Sequence, residues 1–103
     1  MLQHCVVCDL RTDAPEGALA DVMRRLAGLL GKVDGMTAFQ HGPNRDYEAK
    51  SARYSMGFIC TFRDRAAHLA YEQHPDHQAA GRDLVALCNG GVAGIMVFDL
   101  EVG

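Results

Sequence analysis

The stretch "YSMGFICTFRDRAAHLAYEQHPDHQAAG", Tyr54 to Gly81, decides the fold. Tyr54 to Phe62 has strand periodicity: Met56, Phe58, Cys60 and Phe62 alternate with Ser55, Gly57, Ile59 and Thr61. The period then changes. "RDRAAHLAYEQ" is a short helix with Asp64 placed to cap it. Pro75 cannot continue that helix, and His74 before it is pushed toward extended geometry. A further helix is expected from Pro75 or Asp76 to about Cys88.

Upstream, Leu2 to Leu10 is a first strand. "TDAPEG" predicts a helix start, with Asp13 as N-cap, Pro15 in the first turn and Glu16 three residues after Asp13. Leu19, Val22, Met23, Leu26, Leu29 and Leu30 follow at three-four spacing, opposite Asp21, Arg24 and Arg25. Gly31 is the expected C-cap. "GMTAFQHG", Gly35 to Gly42, is a second strand, and the polar Pro43–Arg53 segment is a loop. "NGGVAG" breaks the last helix, and Gly94 to Glu101 is the closing strand. The order β-α-β-β-α-β predicts an α+β, ferredoxin-like protomer with a four-stranded antiparallel sheet and helices on one face.

The chain has 103 residues, which predicts a single domain over 1–103, and its formal charge of −3 supplies no basic patch for nucleic acid. No window approaches the ~18 apolar residues of a membrane span. No targeting segment is legible at the start, so the expected location is cytoplasmic, with the four cysteines reduced. Cys5 and Cys8 form a C-x-x-C inside a strand pattern, where residues three apart face opposite sides. They are expected as small buried hydrophobes rather than as a redox or zinc pair.

The face carrying Val7, Ile59, Met96, Phe98 and Leu100 remains apolar after the helices take the other side. Left open, it would be a sizeable apolar patch. A second copy, sheet on sheet with two-fold symmetry, is the expected cover.

These features resemble the stress-responsive A/B barrel domain (Dabb) family over nearly the whole chain. The carrying residues are His4 on the first strand, Gly42 and Asn44 after the second, the Tyr54–His77 segment, and the closing "VFDL". The resemblance implies ferredoxin-like protomers paired as a dimeric α+β barrel. It does not imply one reaction, since many members have no assigned activity. One branch contains plant polyketide cyclases, which close a linear polyketone by intramolecular aldol condensation. There, a tyrosine and a histidine of the Tyr-x-x-His-Pro-x-His element act in a pocket between sheet and helices. The matching positions are Tyr71 and His77, and the family's first-strand pocket histidine matches His4. The branch's strand-three histidine is Met56 here, so one polar group of that pocket is missing.

The main expectation is therefore a homodimer with a small apolar pocket for a hydrophobic or aromatic ligand, without demonstrated turnover. Candidate lining residues are His4, Val6, Met56, Phe58 and Asp99, with His74 beside them. The enzymatic alternative is a cyclase-like lyase with His77 as base and Tyr71 as donor or orienter. A further alternative, by fold analogy, is a cofactor-free monooxygenase. The same residues have structural uses: His74 can cap the second half of the broken helix, and His77 can bond a backbone carbonyl. His74, Asp76 and His77 are too few and too poorly directed for zinc, so no metal and no cofactor are expected. His41 and His68 are expected to face solvent.

Overall fold

The computed structural model describes residues 1–103. Its elements are β1 (Leu2–Cys8), α1 (Ala18–Ala27), β2 (Met36–Pro43), β3 (Met56–Phe62), α2 (Arg65–Gln73), α3 (Pro75–Ala86) and β4 (Ile95–Glu101), with short 3-10 turns at Gly28–Gly31 and Gly91–Gly94. The four strands form one antiparallel sheet in the order β2-β3-β1-β4. This is the expected ferredoxin-like arrangement.

Register explains the core. His4, Val6 and Cys8 of β1 stand opposite Cys60, Phe58 and Met56 of β3. Residues opposite one another share a face, and this face meets the helices. Val22, Met23 and Leu26 of α1, Ala67 and Tyr71 of α2, and Ala80 and Leu84 of α3 close over it. Each large apolar side chain buried there contributes about 1.5–3 kcal/mol. The helices leave most of β4 uncovered: Ile95 packs against the core, but Val97 and Asp99 on the same face remain exposed.

Several boundaries differ from the sequence pattern. Asp13 does not cap α1. It holds the Arg11 guanidinium at 2.9 Å, and the chain enters α1 through a left-handed Gly17 with no side-chain cap. The Ala18 N–H bonds the Pro15 carbonyl, so a turn occupies the place expected for the first helical residues. At its other end α1 stops at Ala27, and Leu29 and Leu30 fall in the 3-10 turn before Gly31. The third strand begins at Met56 rather than Tyr54. The preceding loop ties itself off: the Asn44 side-chain amide donates to the Tyr54 carbonyl and to Ser51 Oγ, both at 2.9 Å, and Asp46 accepts from the Lys50 and Ser51 amides.

The expected break at His74-Pro75 is present. His74 is extended (φ −69°, ψ 131°), and its Nδ1 accepts the Asp76 N–H, capping α3. Asp64 caps α2 by accepting from the Ala67 N–H. Gly35 has φ 87°, and a Cβ there would lie 2.6 Å from Ala67 Cβ. Glycine therefore lets the entry of β2 approach the first turn of α2. Cys5 and Cys8 lie on opposite faces, and all four thiols are free and buried.

Candidate functional site

The site is built where β1, the exposed edge strand β4 and α2 meet. His4 and Asp99 are cross-strand partners, so their side chains emerge together on the helix side. His4 Nδ1 lies 2.6 Å from Asp99 Oδ1. A carboxylate only accepts, so Nδ1 carries the hydrogen, and in the neutral ring Nε2 keeps its lone pair. His4 is 8% exposed, whereas the Asp99 side chain is 38% exposed to water.

Around His4 stands an aromatic cluster. Its ring centroid is 4.6 Å from that of His68, 5.9 Å from Tyr71 and 6.2 Å from Phe62. Phe62 lies 5.0 Å from Tyr71 and 5.3 Å from His68, and His77 packs on Tyr71 at 4.2 Å. The His-Pro break makes the last contact, because it turns α3 so that His77 meets the Tyr71 ring.

Tyr71 and His77 thus come together, but not around an opening. Tyr71 is 1% exposed, and its hydroxyl accepts the Cys60 thiol at 3.6 Å. Burial pushes the Tyr71 hydroxyl well above its usual pKa and the Cys60 thiol up to about 12. His77 Nδ1 is 3.3 Å from the Glu72 carbonyl, to which it donates. Val6, Met56 and Phe58, expected to line a pocket between sheet and helices, are packed into the core, each at most 5% exposed. The shape of three helices closed over a small sheet fills the space that the pattern left undetermined. His74 faces the start of α3 as a cap and does not join the cluster.

His68 corrects the expectation of a solvent-facing residue: it is 3% exposed. The signal was present, since His68 precedes Tyr71 by three positions and shares its helix face. Leu69, by contrast, is exposed. The Arg65 guanidinium approaches His68 Nδ1 at 2.7 Å, and the buried Nε2 has no hydrogen-bond partner. Glu72 Oε1 sits 3.2 Å from that Nε2 but out of line with its hydrogen.

Burial lowers the pKa of both His68 and His77. Both rings are therefore neutral in the folded protein at neutral pH. Below about pH 6.5 the unfolded chain takes up protons that these rings refuse, so stability is full above that pH and falls as the pH drops through it. Urea midpoints for the wild type are expected to fall between pH 7.5 and 5.5. His77→Phe should flatten that slope, and an unchanged slope would remove His77 from the account.

An apolar depression of about 360 Å³ lies on the opposite face of the sheet, against Cys5, Val7, Gln40, Gly57, Ile59 and Phe98. Around it, Met96 and Leu100 are also exposed.

Fold and site together define a ferredoxin-like α+β protein with a histidine–carboxylate pair at the uncovered edge of its sheet. A family profile, the stress responsive A/B barrel domain, matches residues 2–102, and the chain belongs to that family. A crystal structure from Jannaschia sp. CCS1, described as a dimeric ferredoxin-like protein of unknown function, is 50% identical, with 98% of each chain covered and a TM-score of 0.85. A protein from Arabidopsis thaliana has a TM-score of 0.85 at 18% identity, covering 100% of this chain and 96% of its own. The hydroxynitrile lyase of Passiflora edulis has a TM-score of 0.82 at 12% identity, covering 99% of this chain and 93% of its own. The last two likenesses are of fold. No curated protein matches the sequence. No helix is long and apolar enough to cross a membrane.

Proposed function

We propose that this protein is a single-domain homodimer that binds a small, neutral, hydrophobic or aromatic molecule at the helix-side edge of β4, with His4 as its polar anchor. The observation that carries this is the His4–Asp99 pair: a 2.6 Å bond orients a nearly buried imidazole beside an exposed strand. The carboxylate sets the tautomer of that ring and leaves its other nitrogen free to accept. Apolar Val97, on the same face of β4 as Asp99, is exposed beside it. The dimer is supported by the bare face of Ile59, Met96, Phe98 and Leu100, and by the dimeric description of the Jannaschia relative. A cytoplasmic setting, in which the four free thiols stay reduced, belongs to the same proposal.

2-Phenylethanol, whose hydroxyl can donate to the His4 lone pair, tests it. A ligand of nine heavy atoms should bind with a Kd of about 1 mM. Its addition should shift the NMR signals of His4, His68 and Val97, and His4→Leu should abolish the effect. Shifts confined to the opposite face, or none, would sink the proposal.

A second function, proton transfer of the lyase kind, is favoured by one detail. Asp99 leaves the free lone pair of His4 at Nε2, where it can accept a proton from a carbon next to a carbonyl. Here the base is His4 rather than His77, because the Tyr71 hydroxyl is enclosed against Cys60. A named lyase shares the fold, though at 12% identity that likeness is of fold alone. Exchange of the acetophenone methyl protons in D2O, faster with wild type than with His4→Leu, distinguishes turnover from binding.

A further inference from the structure

The face of the sheet that no helix covers has no Asp, Glu, Lys or Arg within its strands. Depletion of charge marks the core of an interface between proteins. The strand register sets Gly42, Gly57, Val7 and Met96 in one row across that face, from β2 to β4. The row has no side chain on β2 and β3, and two apolar side chains on β1 and β4. Its bare backbone at Gly42 and Gly57 lines the depression of about 360 Å³.

The two glycines have different grounds. A Cβ at Gly57 would lie 2.9 Å from the Val6 carbonyl oxygen and 3.1 Å from Val7 Cγ1, so the protomer itself requires glycine there. Gly42 has no positive φ, and no atom of the protomer lies within 4 Å of where its Cβ would stand. Glycine inside a strand is destabilising relative to alanine. Nothing in the single chain calls for it at position 42, so whatever needs that space lies outside the chain.

We propose that the hollow over Gly42 and Gly57 is the socket for Met96 and Val7 of a second copy of this chain. The inference rests on the homodimer proposed above and specifies how the two copies mate. Sheets packed face to face keep their strands within about 30° of alignment. Two kinds of two-fold axis then bring the same face of each copy together. An axis along the strands reverses the row on the facing sheet. The β4 side of one copy then covers the β2 side of the other, with Met96 over Gly42 and Val7 over Gly57, twice per dimer. An axis across the strands sets β2 over β2, small residue against small, and leaves both hollows as voids. Close packing selects the first, because a void forfeits the contacts of the atoms that line it.

Dimer dissociation constants from sedimentation velocity over a dilution series test the socket. Gly42→Leu fills the hollow without touching its own protomer, and should weaken dimerisation about a hundredfold, since both sockets are blocked. Gly42→Ala should give a smaller loss in the same direction. Met96→Ala alone should also weaken the dimer, yet added to Gly42→Leu it should regain about tenfold, because the smaller side chain leaves room for the leucine. Circular dichroism checks that each variant is folded, and if Gly42→Leu is not, the Gly42→Ala and Met96→Ala pair carries the same comparison. A Gly42→Leu dimer as tight as the wild type or tighter would overturn the socket and leave the homodimer standing, with the hollow open to a small molecule. Loss without any rescue by Met96→Ala would overturn Met96 as the occupant. A wild type that stays monomeric would overturn the homodimer and the socket together.

Discussion

Phe98→Glu is expected to convert the protein from a dimer to a monomer. Phe98 lies on β4 opposite Cys5, on the face that no helix covers, and is 42% exposed in the single chain. Ile59, Met96 and Leu100 surround it at 38%, 43% and 50%. Across a two-fold interface one substitution acts twice. Losing the burial of the part of two phenyl rings that the single chain leaves exposed removes roughly 1–3 kcal/mol, or about one to two powers of ten in the dimerisation constant. Two like charges brought together in an apolar interface add to that cost. Sedimentation velocity at micromolar concentration reads the outcome directly. A wild type that sediments as a monomer would end the sheet-on-sheet proposal, and a Phe98→Glu variant that stays dimeric would move the interface to another surface.

Phe62→Ala is expected to cost about 3–5 kcal/mol, a large part of what a domain of this size has. Phe62 is 0% exposed and ends β3 between Leu2 and Met36. Its ring also supports the site, with His4, His68 and Tyr71 all packed on it. The alanine leaves a cavity that those three rings can only partly fill. Urea denaturation should show the loss. Phe62→Leu, which keeps most of the volume, should cost about 1 kcal/mol. A loss from Phe62→Ala below about 1 kcal/mol would mean that the cluster repacks freely and does not hold His4 in place.

The strand and helix succession could be read from the sequence because period and breakers are local properties. Alternation in Met56–Phe62 assigns the strand and its faces. Pro75 splits the helix wherever the chain folds, since it lacks an N–H and restricts His74 before it. The family signature lies in those same residues. Helix starts were less legible. Asp13 has the chemistry of a cap but pairs with Arg11, and a turn at Pro15–Gly17 delays α1.

The site was only half legible. His4, Asp99, Tyr71 and His77 could be singled out by type and position, but not which of them would meet. The β1–β4 register places His4 against Asp99 across 95 positions of chain, and no local pattern carries that information. His68 was misplaced because a histidine between Ala67 and Leu69 reads as surface until Tyr71 is known to point inward.

The sequence by itself determined the order of elements, the two faces of the sheet, the helix break and the family, because each depends on residues close together in the chain. Only the tertiary structure decided that Tyr71 is sealed against Cys60, that His4 takes Asp99, and that His68 is buried with one nitrogen toward Arg65 and the other unpaired. The physical reason is that burial and hydrogen-bond pairing are properties of packed neighbours. Those neighbours come from β1, β3, β4 and α2, and they meet only when the sheet has formed and the helices have closed over three of its four strands.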